Sequence, residues 1–121
     1  MKYMLLVHHD EESFRNRPEA ERVSLLTESV QLAQRLHKTG HYLSAAPLHP
    51  SSETVCVRVR EGKTLVTDGP FAETREQLGG YFLIHANNRD EAIQIALRIP
   101  GARIGTVEVR RVSEVEGLPG E

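Results

Sequence analysis

Apolar positions along this chain switch between two periods, and the switches predict strands and helices in turn. Residues 2–9 form a short apolar run that is typical of a strand, and we place it at the centre of a sheet. Pro18 suits the first turn of a helix, and Gly40 ends it. The intervening apolar residues recur every three or four positions and predict the buried face of that helix. This face comprises Val23, Leu26, Val30, Ala33 and His37, widened by Leu25, Leu32 and Leu36.

The second half of the chain repeats this order around an insertion. Residues 41–48 predict a strand, and Val55, Val57 and Val59 alternate with polar positions as in a half-buried strand. A tight turn at 61–63 leads to residues 64–66, and further strands are expected at 80–86 and 104–112. Asn88 followed by Glu91 is a capping signal for a second helix, whereas the polar residues 10–17 predict a loop.

The resulting order, β-α-β, a β-hairpin and then β-α-β, predicts an α+β, ferredoxin-like split βαβ fold with the hairpin inserted before a long loop. We expect a single domain over residues 1–112 and a flexible C-terminal tail over residues 113–121, which is rich in Glu, Gly and Pro.

The charge and composition of the chain limit the classes of partner that it is expected to bind. The formal net charge is −2 with both signs interspersed, so a nucleic-acid surface is not expected. The apolar runs are too short for a signal peptide or a membrane span, so no membrane partner is expected. A single cysteine rules out an intrachain disulfide, and a cytoplasmic location is the expectation.

Residues 66–82 connect two apolar strands by a segment much longer than an ordinary hairpin turn. Long charged loops in small domains are often functional. Gly69 permits a positive φ and Pro70 fixes the exit direction, while Gly79 and Gly80 suggest a close backbone approach or a bulge. We call residues 68–76 the motif loop; its candidate functional residues are Asp68, Gly69, Pro70, Phe71, Glu73, Arg75 and Glu76.

Two expectations concern side chains of the motif loop. Phe71 is predicted to be buried, so that Phe71→Ala would destabilise the domain by about 3–5 kcal/mol. Glu73, Arg75 and Glu76 are expected to form ion pairs that lock the loop or a dimer, in preference to doing chemistry.

The predicted topology brings histidines to the same rim as the motif loop. His8 and His9 end the first strand, and His49 follows the second. Strand alternation puts His8 and His9 on opposite faces, so at most one of them can face a shared cavity. His49 is favoured because it stands between two prolines.

Asp68 is the first candidate for a functional group. The functional hypothesis places it within about 4 Å of a histidine, His49 before His9 or His8, where it would raise the histidine pKa. The structural alternative, a carboxylate that sets the Asp-Gly turn, carries equal weight. No metal-ligand spacing is present, and Cys56 among valines is typical of a small strand residue, so no metal or cofactor is expected.

The sequence Asp-Gly-Pro-Phe at 68–71, followed by Glu-x-Arg-Glu at 73–76, resembles the DGPF-motif branch of the YCII-related domain family. The resemblance implies a homodimer in which two ferredoxin-like sheets pair face to face, a dimeric α+β barrel. It also implies a His–Asp pair, with Asp68 at the motif position. The sequence differs in carrying Arg75 where the family usually has Lys and His85 where it commonly has Glu.

The leading interpretation is a small cofactor-free enzyme that performs proton-transfer or elimination chemistry, lyase-like or dehydrochlorinase-like, on a small organic acid or phenolic compound. The alternative is a non-enzymatic accessory module that binds a small ligand or a protein. The family resemblance links that alternative to extracytoplasmic-function sigma factors, whose genes often neighbour those of DGPF proteins. Homodimerisation is expected independently, because two helices cover only one face of an apolar sheet.

Overall fold

The computed structural model describes residues 1–120. Its elements, in chain order, are β1 (Lys2–His9), α1 (Glu11–Arg15), α2 (Glu19–Lys38), β2 (Tyr42–Pro47), a 3₁₀ turn (Ser51–Glu53), β3 (Val55–Arg60), β4 (Lys63–Asp68), β5 (Gln77–His85), α3 (Arg89–Ala96), α4 (Gly101–Ile104) and β6 (Gly105–Arg111). Residues 112–120 contain no helix or strand, and residue 121 of the predicted tail lies outside the described range.

The main sheet has the strand order β2-β5-β1-β6, and every neighbouring pair is antiparallel. The two crossovers through α2 and α3 give the ferredoxin-like split βαβ arrangement, which confirms the predicted fold class. The hairpin insertion is confirmed as a separate two-stranded sheet of β3 and β4. None of the helices within residues 1–120 is long and apolar enough to cross a membrane.

The core lies between the helices and one face of the main sheet. Tyr3 and Leu5 of β1 and Phe82 and Ile84 of β5 alternate with residues of the other face, as the two-residue period of a strand requires. They pack with side chains from the helical layer, including Leu32, Leu36, Ala92, Ile95, Ala96 and Ile99.

Side-chain caps begin two of the helices: α3, which was predicted, and α1, which was not. The Asn88 side chain accepts a hydrogen bond from the Glu91 amide at 2.9 Å, which confirms the predicted start of α3. Residues 10–17, predicted as a loop, instead contain α1. There the Asp10 carboxylate accepts from the Ser13 amide at 3.1 Å, and acidic residues in the first turn favour the helix.

The apolar face predicted for α2 is only partly buried. Leu32 and Leu36 are in the core, but Val23, Leu26 and Val30 are 55%, 52% and 49% exposed. The buried residues of α2 lie in its C-terminal half, and an open groove runs along the helix from Leu25 to Lys38. The periodicity identified the stripe correctly but not how far the helix stays in contact.

The hairpin was predicted to be half-buried, and this is wrong. We call residues 55–71 the arm. Both of its strands are exposed along almost their whole length, with only Cys56 partly buried, because neither strand joins the main sheet. Phe71, predicted to be buried, is 82% exposed, so the expected stability loss on Phe71→Ala has no basis within one chain.

A matched pair of leucines tests the placement of the core. Leu36 is 1% exposed, and Leu97 at the end of α3 is 62% exposed. We expect Leu36→Ala to lower the free energy of unfolding by about 2–5 kcal/mol, because it leaves a cavity beneath α2. Leu97→Ala should change it by less than about 0.5 kcal/mol. Urea unfolding of both variants measures the difference, and equal losses would contradict this placement of α2.

Candidate active site

A groove of about 740 Å³ lies between α2 and the main sheet. Its volume lies within the range of ordinary small-molecule sites, and its lining is mainly apolar. Apolar side chains that form its walls come from α2, the strands and the segment around α4, including Leu25, Val30, Val7, Phe82, Pro100 and Ile104.

An ion pair joins the two helices that flank this groove. The Arg103 guanidinium of α4 donates two hydrogen bonds, of 2.8 and 2.9 Å, to the carboxylate of Glu28 on α2. This parallel geometry is the most specific that arginine and a carboxylate can form. The hydrogen bonds from Arg103 also lower the pKa of Glu28, so the pair stays ionised at neutral pH.

His9 is the titratable group at the sheet end of the groove. It ends β1 on the same face as Leu5 and Val7, so its ring points towards the helical layer. The ring centroid lies 4.9 Å from that of Phe14, which α1 supplies. The segment missed in the sequence therefore provides one contact of the candidate site.

A bulge in β5 makes room for the His9 ring. Val7 pairs with Gly80 and His8 with Leu78, so Gly79 is the extra residue of the bulge. A Cβ at Gly79 would fall on the imidazole, 2.5 Å from Nδ1. The prediction of a close approach or bulge at the Gly-Gly pair is confirmed, and its physical reason is the histidine.

The electrostatic surroundings of His9 contain opposing influences. Partial burial lowers the His9 pKa below its ordinary value of 6.5, because a charged imidazolium loses solvation. The negative charges of Glu11, Glu76 and Asp10 act in the opposite direction and are weaker than burial. The neutral imidazole is therefore the favoured form. If the ring gains a proton, the three carboxylates stabilise the resulting imidazolium.

Each of these carboxylates is held by a separate partner. Glu76 accepts a hydrogen bond from the Thr106 hydroxyl at 2.8 Å, and Glu11 accepts from the Ser51 amide at 2.9 Å. Asp10 caps α1, and its Oδ2 lies 3.5 Å from Arg75 Nε. Arg75 and Glu76 thus fasten the end of the motif loop to the rim around His9. Of the ion pairs expected for Glu73, Arg75 and Glu76, the part of the chain that the structure describes contains only that of Arg75.

The imidazole of His9 has no hydrogen-bond partner among residues 1–120, yet its nitrogens are not sealed from solvent. A half-buried histidine that lines an apolar groove, and whose ring nitrogens make no hydrogen bond within residues 1–120, can exchange a proton with a bound molecule. This combination distinguishes His9 from the other candidate histidines.

His8 and His49 lie elsewhere. His8 is on the opposite face of the sheet, where Nε2 lies 2.5 Å from Glu108 Oε1. His49, the histidine first favoured, has a side chain that is 87% exposed and lies 3.4 Å from Glu53. The prolines on either side of His49 do not bring it towards a cavity.

Asp68 is not brought to a histidine in the described chain, so the expected pair within about 4 Å is absent there. It ends β4, opposite Val55 and exposed, and Gly69 follows with φ of +89°. The Gly69 amide donates to the Thr54 carbonyl at 2.7 Å and closes the base of the arm. The Asp68 carboxylate accepts no hydrogen bond within residues 1–120, so the turn-setting alternative, in which it binds backbone N–H groups, is not seen there either. Glu73 and Pro70 are exposed, and neither lines the groove.

Six histidines do not create a metal centre in the part of the chain that the structure describes. Within residues 1–120, no group of three or more His, Cys, Asp or Glu side chains could hold a metal ion. The Cys56 thiol donates to the Gly69 carbonyl at 3.2 Å.

Comparisons with known proteins agree with this architecture. Residues 1–116 match the model of the YCII-related domain. An uncharacterized protein, R00369, of Rhizobium meliloti (strain 1021) is 36% identical over 125 aligned residues, which cover all of this chain and 98% of that protein.

A solved structure is similar in fold at low sequence identity. It is 5-chloro-2-hydroxyhydroquinone dehydrochlorinase (TftG) from Burkholderia phenoliruptrix AC1100, in complex with 2,5-dihydroxybenzoquinone. The TM-score is 0.57 at 12% identity, over 96% of this chain and 97% of that one.

Replacing Gly79 tests the link between the bulge and His9. We expect Gly79→Ala to push the imidazole away from the sheet and towards solvent, because the new methyl group and the ring cannot occupy the same space. The His9 pKa should then rise towards 6.5 as the ring regains solvation. NMR titration of the histidine ring protons measures this, and the His8 resonance is an internal control. An unchanged His9 titration would contradict the assigned contact.

Proposed function

The chain belongs to the YCII-related domain family, and from this premise we propose that its groove binds a small cyclic organic molecule on which His9 acts as a general base. The observation that carries the proposal is the half-buried imidazole with unoccupied nitrogens at the end of the groove. The Asp-Gly-Pro-Phe sequence supports assignment to the DGPF-motif branch as part of the same proposal. A cytoplasmic location, expected from the sequence, is also retained in it.

The groove suits a ring compound. Its walls are apolar on both sides, and polar groups occur at separate places along it, among them His37, Tyr42 and Gln34. Such a site binds a flat apolar body and orients it through a few hydroxyl or carbonyl groups. Phenolic compounds and their quinones have this distribution. The structure of the dehydrochlorinase of similar fold contains 2,5-dihydroxybenzoquinone, and this supports the choice of class.

The proposed chemistry begins with proton transfer to a neutral His9. The imidazole takes a proton from the substrate, and Glu11 and Glu76 stabilise the resulting imidazolium. In an elimination, the electron pair left on the substrate forms a new double bond, and the leaving group departs as an anion. Overall the substrate loses one proton and one anion, so no oxidant, reductant or cofactor takes part in the step.

This proposal changes the residue roles expected from the sequence. His9 takes the role of base in place of His49, and the carboxylates near it are Glu11, Glu76 and Asp10 in place of Asp68. Asp68 has no part in the proposed proton transfer.

Binding and proton transfer can be tested with one probe, 2,5-dihydroxybenzoquinone. We expect the native protein to bind it and to speed exchange of its ring protons with D₂O, followed by NMR. His9→Asn should lower that exchange rate by about 10²–10⁴-fold, the usual contribution of a positioned base. His49→Gln is the matched control and should exchange at the native rate. Equal rates in the native protein and His9→Asn would refute the role of His9.

The pH dependence has a defined direction. Only the neutral imidazole accepts a proton, and burial lowers the His9 pKa. The rate of probe exchange should therefore rise with pH through a midpoint below 6.5 and level off above it. Gly79→Ala, if it retains activity, should move this midpoint upward. A midpoint above 6.5 in the native protein would mean that the carboxylates outweigh burial or that another group is the base.

A second candidate is a non-enzymatic accessory module that binds a small ligand or a protein, linked to extracytoplasmic-function sigma factor regulation. The exposed arm favours it, since a surface of this kind is typical of an interaction site. The same experiment separates the two: probe binding without accelerated exchange supports the module, and accelerated exchange that depends on His9 supports the enzyme.

A further inference from the structure

We infer that the molecule bound in the groove is an elongated aromatic acid, with its ring beside His9 and its carboxylate near Lys38 and Tyr42 at the far end of the groove. This inference rests on the function proposed above, and it specifies the shape and charge of the substrate. Three features of the groove carry it: its length, the hydrogen-bonding groups at its far end and the charge of its lining.

The strand register separates the two ends of the groove. A Cβ at Gly79 would meet the His9 ring, and the next residue of β5 pairs with Pro47, so the end of β2 lies beside His9. Tyr42 begins β2 and lines the other end of the groove. The strand rises by about 15–20 Å between these ends, and the helical wall from Leu25 to Lys38 rises by about 20 Å. A single six-membered ring does not extend over this length.

The volume of the groove also exceeds that of a single ring. A closed apolar cavity of about 150 Å³ is enough to hold benzene, and the groove of about 740 Å³ has several times this space. A ring beside His9 would leave the apolar wall around Val30 and Ala33 uncovered, and Val30 is 49% exposed in the single chain. An apolar chain attached to the ring would cover this wall and remove its surface from water.

The far end of the groove carries hydrogen-bonding groups without partners. The rings of His37 and Tyr42 meet edge to face with their centroids 6.2 Å apart, so α2 and β2 bring the two residues together. Within residues 1–120, neither the Tyr42 hydroxyl nor the His37 ring nitrogens take part in a hydrogen bond. Tyr42 is partly buried and packs against the core. A hydroxyl group held in this way can bind an oxygen atom of the ligand.

The charge of the lining favours an anion at this end. Among the described residues that line the groove, Lys38 alone carries a permanent charge, and none is Asp or Glu. A carboxylate at the far end would meet the Lys38 ammonium and the Tyr42 hydroxyl, whereas a cationic group would meet repulsion.

The C-terminus of α2 offers less resistance to an anion than an ordinary helix end. Unsatisfied carbonyl groups give such an end a partial negative charge. Here the Arg35 carbonyl accepts from the Thr39 amide and hydroxyl, and the carbonyls of Leu36 and His37 accept from the amides of the two residues that follow Thr39. These hydrogen bonds reduce the partial charge that a carboxylate beside Lys38 would meet.

A homologous series of probes tests the length of the substrate. In 4-hydroxyphenyl alkanoates, one to about eight methylene groups separate the ring from the carboxylate. We expect the dissociation constant, measured by titration calorimetry, to fall by up to about fourfold per methylene until the carboxylate reaches Lys38, because each methylene covers part of the apolar wall. The primary amide of the best acid has the same shape without the charge and should bind more weakly. Affinities that do not change with chain length would overturn the inference.

Charge reversal at the far end tests the position of the carboxylate. Lys38→Glu should raise the dissociation constant of the best acid at least about tenfold and that of its amide by less than about threefold, because only the acid is charged. Lys63→Glu is the matched control, since it makes the same change on the exposed arm outside the groove and should leave both constants within about twofold. Tyr42→Phe should weaken binding of the acid about three- to tenfold. Equal effects of the two lysine variants would overturn the inference.

The orientation of the bound acid separates this inference from the function on which it rests. Nuclear Overhauser contacts should join the ring protons of the probe to His9 and its last methylene to Tyr42, and the reverse orientation would overturn the inference. Proton exchange of 2,5-dihydroxybenzoquinone, which is too short to reach Lys38, tests the base alone. Exchange that depends on His9, together with acid affinities insensitive to length and to Lys38→Glu, would refute the elongated substrate and leave the proposed base in place. Exchange independent of His9 would refute the base, whatever the acids show.

Discussion

The antiparallel pairing of β1 with β5 on one side and β6 on the other is the constraint on which the structure depends. A strand presents alternate residues to opposite faces, so this register sends Tyr3, Leu5, Val7 and His9 together to the helical side. A slip of one residue would expose the core residue Leu5 and move His9 away from the groove. The energetics of the core therefore also fix the position of the candidate base.

The bulge at Gly79 reconciles two requirements on the same strand pair. The sheet needs continuous pairing between β1 and β5, whereas the ring at His9 needs space where a side chain of β5 would project. One extra residue without a side chain meets both requirements, and bulges often occur beside active sites for this reason. Pairing resumes at His8 and His9, so the bulge makes room for the ring and leaves the end of β1 hydrogen-bonded.

The groove depends on how α2 is attached to the rest of the fold. Leu32 and Leu36 hold its C-terminal half in the core, and the bidentate Arg103–Glu28 ion pair joins its N-terminal half to α4. The groove runs along the helix beside these attachments, with lining residues from Leu25 to Lys38. Protein interiors are normally packed as densely as organic crystals, so an apolar opening of about 740 Å³ is far larger than a packing defect. We interpret it as a binding site because of this size and its mainly apolar lining.

The sequence was sufficient for those features that depend on local pattern. Strand β1, the cap at Asn88, the end of α2 before Gly40 and the need for glycine at 79 were all readable, because period, capping and steric room act over a few residues. Short helix α1 was missed although Asp10, Glu11 and Glu12 form an ordinary helix start. Its acidic residues suggested a loop when considered by polarity alone.

The failures at Phe71, Val57 and Val30 have a different cause. Each was predicted to be buried because it is apolar and correctly spaced, and each is exposed in the single chain. Hydrophobic periodicity shows that a side chain needs cover, but it does not show whether the cover comes from the same chain, a second subunit or a ligand. Val30 lines the groove, where a bound ligand would supply the cover.

The histidines also show that residue spacing does not reveal what surrounds a side chain, here its electrostatic surroundings. Topology brought His8, His9 and His49 to one rim in the sequence analysis, which favoured His49. The structure distinguishes them by what surrounds each ring: a carboxylate on the open sheet face for His8, and solvent with Glu53 for His49. Only His9 combines desolvation with unoccupied nitrogens and nearby carboxylates. Desolvation favours its neutral form before reaction, and Glu11 and Glu76 favour the cation that reaction would produce. A proton acceptor needs both influences, and neither can be read from residue spacing because both arise from groups distant in sequence.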